Sequence, residues 1–242
     1  MKANLHERKG LRNRRHVFAD RFEAGRVLAE MLAAEYREAD DQVAVIAIPA
    51  GGVPVGLEIS KALKVPLDII IVRKIQIPGN TEAGFGAMTT EGSVFLNEDL
   101  ISHLGLTSSQ IEQQKVLVRK DLEEREKLFR GGSAPSDLAG KTVVLVDDGL
   151  ATGYTMIASI DAVRNRRARR VVVAVPTAPA GTVIRIEDLV EEIYCANIRE
   201  STYFAVADAY EHWYDLDREE VLRLLKRGKD EGRNKFKSPK SE

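Results

Sequence analysis

Cysteine is almost missing from this sequence: a single residue, Cys195, in 242. No intramolecular disulfide can form, so the fold must rest on its core, and a reducing compartment is the natural setting. Cys195 stands in the apolar run EIYCANI, where a small core residue is expected rather than a nucleophile. Long hydrophobic runs are lacking as well. No window suits a bilayer span, and the basic start MKANLHERKGLRNRRH has no apolar stretch of the signal-peptide kind. The expectation is a cytoplasmic protein with no membrane partner. A surplus of one charge is absent, since 36 Lys and Arg face 37 Asp and Glu for a net charge of -1, and no global field favours nucleic acid. The run RNRRARR (164–170) falls at the end of a helical pattern, where cations complement the dipole, so it is read as helix chemistry rather than an RNA site. His6, His16, His103 and His212 show no metal-ligand spacing, and no structural metal is expected.

What is present reads as α/β. Apolar positions 24, 27, 28, 31 and 32 make one helical face within 20–38, with Asp20 as its cap. VAVIAI (43–48), LDIIIV (67–72), TVVLV (142–146), VVVAVP (171–176) and EIYCA (192–196) are runs without alternation, as strands covered on both faces require. Helical text separates most of them, continues over about 107–130, and closes with DREEVLRLLKRG. The pattern predicts a mainly parallel five-stranded sheet with helices on both faces. Residues 1–227 form one domain, and the polar stretch 228–242 is expected to be a disordered tail. Between Ile75 and Gly92 the pattern dissolves into Gly, Pro and Thr, and SVFLN reads as a short hairpin arm.

In parallel sheets ligands sit at the carboxyl ends of the strands. The third long run ends there in VVLVDDGLATGYT, Val143 to Thr155. A buried strand cannot carry two ionised carboxylates into the core, so Asp147 and Asp148 mark its emergence into a crevice. Carboxylates only accept hydrogen bonds, which suits a vicinal diol or a hydrated cation. Gly149 permits an unusual turn, and ATGYT then opens a helix whose free amides attract an anion. Gly153 allows close backbone approach, while Thr152 and Thr155 add hydroxyl donors. The loop has no lysine, unlike the triphosphate-binding GxxxxGK[ST] pattern, so a monophosphate fits better. Diol acceptors beside a monophosphate cradle describe a 5-phosphorylated ribose.

The segment resembles the thirteen-residue phosphoribosyl pyrophosphate motif of type I phosphoribosyltransferases. FADRFEAGRVLAEML, PAGGVPVGLEISKAL, VRKIQIPGNTEAGFGA and WYDLDREEVLRLL extend the likeness to stand-alone family members of unassigned base specificity, covering most of 17–226. The resemblance implies a Mg²⁺-dependent transfer of phosphoribose to a nucleobase-like acceptor. Asp147 and Asp148 would bind the ribose hydroxyls, and Gly149 with Ala151, Thr152, Gly153, Tyr154 and Thr155 would wrap the 5-phosphate. The loop Pro49 to Gly52 would offer amides to pyrophosphate through Ala50, Gly51 and Gly52, although relatives usually read PRGG there and Ala50 replaces the arginine. Arg73 and Lys74, ending the second strand, would reach the pyrophosphate under a mobile hood formed by about 75–92. Phe204 is the stacking candidate for the base among Tyr203, Tyr210, Trp213 and Tyr214, and Glu211 is placed near the metal. Mg²⁺ would rest on ligand oxygens and water, with no protein ligand assigned. A homodimer is allowed. The competing reading is a non-catalytic sensor of a phosphorylated sugar or nucleotide on the same fold, motivated by Ala50.

Overall fold

The computed structural model describes residues 2–37, 42–201 and 203–235. In chain order, β1 (Asn4–His6), α1 (Arg21–Tyr36), β2 (Val43–Ala47), α2 (Gly52–Leu63) and β3 (Leu67–Ile69) come first. Next are β4 (Val72–Ile77), β5 (Asn80–Thr89), β6 (Val94–Leu96), α3 (Glu98–Leu104) and α4 (Ser108–Arg130). Then follow β7 (Thr142–Val146), α5 (Tyr154–Asn165), β8 (Arg170–Pro179), α6 (Ala180–Ile186), β9 (Glu192–Arg199) and α7 (Arg218–Lys235).

The main sheet has six strands in the order β1-β9-β8-β7-β2-β3, every pair parallel. Its apolar runs are unbroken because both faces are covered. Val43, Val45, Val144 and Val146 pack with α1 and α2, while Ala44, Ile46, Val143 and Leu145 pack with α5. Each fully buried side chain of this kind contributes about 1.5–3 kcal/mol, so the domain needs no covalent staple. From β2 the chain moves outward to β3, and from β7 it moves the other way to β8 and β9. The β2/β7 boundary is therefore the topological switch point, where a crevice opens beyond the carboxyl ends.

α1 starts where the sequence places it. The Asp20 carboxylate accepts the Glu23 amide at 2.8 Å, satisfying a first-turn donor, and the Glu23 carboxylate reaches back to accept the amide of Ala19, just before the cap. Cys195 is fully buried, and burial pushes its thiol up to about 12, as suits a packing residue. The basic run is engaged internally: Arg164 donates to Glu191 at 2.7 Å, Arg166 to the Ser136 carbonyl, and Arg170 to Glu192. Among the described residues, no helix is long and apolar enough to cross a membrane.

Four features differ from the sequence-based expectation. The sheet gains a sixth strand, β1, a three-residue edge too short for periodicity to reveal; His6 stacks on Tyr194 with ring centroids 4.2 Å apart. LDIIIV is not one strand. β3 ends at Ile69, and Val72 opens β4 in a separate antiparallel sheet ordered β4-β5-β6. Ile70 and Ile71 are buried between the two sheets, so hydrophobicity runs on without marking the change. The Gly-rich stretch after Ile75 is a bulged hairpin turning at Pro78 and Gly79, the latter with φ +78°. Finally, α7 runs past Gly228 to Lys235; the rest of the expected tail, 236–242, lies outside the described residues.

A buried ion pair fastens the small sheet's supporting helix to the main one. Arg130, at the end of α4, donates to Asp68 of β3 at 2.8 Å, and Asp68 also accepts the Ser136 amide at 2.7 Å. Burial alone would raise the Asp68 carboxyl, but Arg130 and the amides of Ser136 and Ile69 outweigh it and hold the group below its ordinary value. Its folded-state value is depressed, so this stabilisation is present above the unfolded value and lost as pH falls through the folded one. Asp68→Ala is expected to cost about 1–3 kcal/mol in urea unfolding at neutral pH, because Arg130 loses one buried partner but keeps Glu126 at 2.8 Å and the Ile69 carbonyl. The deficit should shrink on acidification.

Candidate active site at the sheet switch point

Two loops meet beyond β2 and β7. Ile48 donates to the Val146 carbonyl at 2.8 Å, which carries the strand pairing to the crevice before Pro49 to Gly51 turn into α2. The Pro49–Ala50 peptide is cis. A Cβ on Gly51 would lie 1.9 Å from Oδ2 of Asp148, and one on Gly52 would lie 2.5 Å from the Val146 carbonyl oxygen. Both glycines are thus required by close approach, and the first loop lies directly against the acid couple. Ala50 is partly buried and packs on the core.

Asp147 and Asp148 are half-buried just beyond the carboxyl end of β7. Oδ1 of Asp147 accepts the Asp148 amide at 2.9 Å, and Oδ2 of Asp148 accepts Nε of Arg21 at 2.8 Å. Burial and then the neighbouring Asp148 charge hold Asp147 well above the ordinary carboxyl range. Burial raises Asp148 too, but Arg21 opposes that rise by charge and by hydrogen bond. Burial thus raises both carboxyls, and the Arg21 charge favours the ionised form at Asp148. The Tyr210 hydroxyl donates to the Asp148 carbonyl at 2.6 Å and fixes the backbone of the pair.

The following loop is drawn toward α6 through its carbonyls. Oγ1 of Thr182 donates to the Ala151 carbonyl at 2.6 Å, and Nη1 of Arg185 donates to that of Thr152 at 2.6 Å. Gly153 takes φ +82°, and a Cβ there would stand 2.9 Å from the Thr182 methyl group. Gly149 is confined by Val206, whose methyl carbon would be 2.6 Å from an added Cβ. Among the described residues, the amides of Ala151 through Thr155 make no hydrogen bond, leaving the first turn of α5 with open donors. The Ala151 and Thr152 side chains are exposed and Thr155 is half-buried.

Tyr154 has a different place from the one its motif position suggests. Its side chain is buried against Phe95, ring centroids 5.3 Å apart, and its hydroxyl accepts Nδ2 of Asn97, the residue that caps α3. The side chain therefore joins the motif helix to the small sheet, and only its amide faces the cradle. Arg73 and Lys74 lie inside β4, not at the end of a main-sheet strand. Successive strand residues point to opposite faces. Arg73 is paired with Asp121 of α4 at 2.5 Å, while Lys74, crossing over Gly84, lies on the other face with its partner Ala87. They do not converge on one point. Phe204 is half-buried on the loop before the 3-10 turn Val206–Ala209, Tyr203 beside it is 84% exposed, and Tyr210 is core, packed on Phe18 and Trp213. Glu211 is exposed, with its amide on the Phe18 carbonyl at 2.8 Å.

Sequence reasoning missed Arg21, Thr182 and Arg185. A signal for Arg21 existed: it sits three and seven residues before Ala24 and Leu28 at helical spacing, hence on the buried face of α1. An arginine in that register requires a buried partner.

The fold is α/β, with the candidate site at the switch point of a parallel sheet. Residues 20–212 match the family described as "Phosphoribosyl transferase domain", and the chain belongs to that family. A Mycobacterium tuberculosis protein provisionally named as a phosphoribosyl transferase is 37% identical over 213 residues, 87% of this chain and 47% of that protein. The chain thus spans about half the length of the curated relatives it matches. The crystal structure of the TT1426 protein of Thermus thermophilus superposes with a TM-score of 0.70 at 33% identity, covering 86% of this chain and 97% of that one.

Proposed function

We propose that this protein transfers phosphoribose from phosphoribosyl pyrophosphate to a nitrogen of a base, releasing pyrophosphate. The observation that supports the reading is the close approach of Gly51 to Asp148, which brings the loop after β2 against the acid couple that leads into the open turn of α5. The ribose 5-phosphate would rest on the amides of Ala151 to Thr155, aided by the hydroxyls of Thr152 and Thr155. Asp147 and Asp148 would accept the ribose hydroxyls and favour positive charge developing at the anomeric carbon. There the bond to pyrophosphate breaks, the base nitrogen bonds the carbon, and the nitrogen's proton is released.

The amides of the Ala50–Gly52 loop would face the departing pyrophosphate. Mg²⁺, when bound, neutralises that leaving group. The ion would be held by phosphate oxygens and water. Lys74 is a candidate for the pyrophosphate, and Arg73 would have to leave Asp121 to join it. Phe204 would stack on the base, and the β4-β5-β6 sheet would exclude water from the activated sugar. The setting proposed is the cytoplasm.

The test is turnover with phosphoribosyl pyrophosphate, Mg²⁺ and a panel of purine and pyrimidine bases, read as pyrophosphate release and nucleotide formation. Nucleotide from at least one base supports the reading. One feature favours a second reading, a sensor on the same fold: Ala50 offers no cation to the leaving group. Donor binding without product from any base would select it. Ala50→Arg is expected to tighten pyrophosphate binding roughly 10-fold or more, the worth of about 1.5–3 kcal/mol for a charge-assisted contact, as calorimetry would measure.

A further inference from the structure

We propose that Arg21 is a positioning residue for the sugar seat: its guanidinium, clamped by the 210–214 segment, orients the Asp148 carboxylate and makes it the charged member of the acid couple. This rests on reading that couple as the seat of the ribose hydroxyls.

Arg21 occupies the first turn of α1, where a cation opposes the helix dipole, and its side chain is only 7% exposed. Neither helix stability nor solvation explains it there. Its donors are directed instead. Nε meets Oδ2 of Asp148 at 2.8 Å, and Nη1 meets the Tyr214 carbonyl at 2.8 Å. The guanidinium carbon lies 3.9 Å from the centre of the Trp213 ring, a stacking distance that fixes the fork's plane. The segment that holds Arg21 also holds Asp148 directly, through the Tyr210 hydroxyl on its carbonyl at 2.6 Å. On the remaining side Gly51 leaves no space for that carboxylate oxygen to retreat. Asp148 is therefore fixed at its backbone, at one carboxylate oxygen and by steric contact.

Among the described residues, the charged and titratable groups around Asp148 are few. Asp147 shares its loop, Arg21 comes from α1, Tyr210 from the segment after the 3-10 turn, and Asp20 acts on that tyrosine's field. Pro49 to Gly52 contribute none. Two neighbouring buried carboxyls tend to share one proton, and without a third charge either can carry it. Arg21 is the single cation among these groups, and of the two carboxyls it bonds only to Asp148. It thereby assigns the proton to Asp147 and the charge to Asp148, so that a diol meets one acceptor of defined position and charge.

The test uses the full chain with Arg21→Lys, Arg21→Met and the half-exposed platform variant Trp213→Leu, each checked for folding by near-UV circular dichroism. Aspartate carboxyl titration by carbon-13 NMR, without ligand, is the first readout. The wild type should show two separated transitions, the lower from Asp148. In Arg21→Met the lower transition should move up toward the other, with Arg21→Lys between them. Calorimetric binding of phosphoribosyl pyrophosphate is the second. Arg21→Met should bind at least 10-fold more weakly near neutral pH and recover part of that loss as pH rises, whereas the wild type should change little over the same range. A folded Arg21→Met protein with an unmoved Asp148 transition overturns the proposal, as does unchanged donor affinity beside a wild type that binds. If Arg21→Met does not fold, Trp213→Leu decides: it should shift the Asp148 transition in the same direction, and an unshifted one overturns the assignment. A wild type with the predicted titration that binds no donor at any pH would instead sink the seat reading and leave the carboxyl assignment standing.

Discussion

Replacing Asp147 and Asp148 together by asparagine is expected to weaken binding of phosphoribosyl pyrophosphate by roughly 10–10³-fold. The magnitude follows from altering one charged and one neutral acceptor, since hydrogen bonds to charged groups are worth about 1.5–3 kcal/mol, neutral ones about 0.5–1.5 kcal/mol, and every 1.4 kcal/mol is tenfold. The fold should survive, because both residues stand beyond β7 rather than within its packed run. Asp147→Asn alone carries a second, opposite consequence. Burial and the Asp148 charge raise the Asp147 carboxyl, so the folded state favours its protonated form. A raised group contributes stability that is present below the unfolded carboxyl value and lost as pH rises through the folded value. At neutral pH the neutral amide should therefore stabilise the free protein while binding falls. Differential scanning calorimetry should find a higher midpoint for Asp147→Asn at neutral pH, of the order of 2–4 °C for each kcal/mol gained, and the advantage should vanish toward pH 4. A lower midpoint at neutral pH would mean that Asp147 is ionised and compensated in the free protein.

Gly51→Ala should produce the second large effect from a single added methyl group. The backbone at Gly51 has φ -59° and ψ -36°, a conformation alanine adopts freely, so only space opposes the change. The new carbon would stand 1.9 Å from Oδ2 of Asp148, which must leave its position and its bond with Arg21. Overpacking of this kind costs about 1–3 kcal/mol of stability. Donor affinity should fall at least 10-fold, about 1.4 kcal/mol, because the displaced carboxylate no longer meets the ribose hydroxyls. Titration calorimetry and urea unfolding on the same samples would check both. Wild-type affinity in Gly51→Ala would show that the loop after β2 does not bear on the seat.

The central strands of the main sheet were legible because burial on two faces leaves an unmistakable run. Val143 to Val146 could hardly be anything else, and the carboxylates after them could not be core. Gly153 was legible as a close-approach position, whereas Gly51 and Gly52 entered only as amide donors, and their tight contacts appear only once β2 and β7 are side by side. Other parts were hidden by physics rather than by oversight. β1 is three residues at an edge with only partial burial, so no period develops. Ile70 and Ile71 are buried between two sheets, and hydrophobicity there records burial but not which sheet a residue joins. The opposed directions of Arg73 and Lys74 follow from strand geometry once β4 is known, yet they read as a tandem cationic pair before it. Tyr154 sits within a ligand-binding pattern and still turns its ring to Phe95, because a motif constrains the backbone at that position more than the side chain. Arg21 shows how long-range partners escape local reading. Its bond to Asp148 spans 127 residues, and only its place on the apolar face of α1 hinted at a buried anion.

The account stands on one placement, a pentose phosphate seated between the acid couple and the first turn of α5. A crystal structure with phosphoribosyl pyrophosphate and Mg²⁺ tests it directly. The 5-phosphate should lie on the amides of Ala151 to Thr155, with the ribose hydroxyls donating to Asp147 and Asp148. A donor bound elsewhere, or a 5-phosphate turned away from that turn with the acid couple untouched, would contradict it.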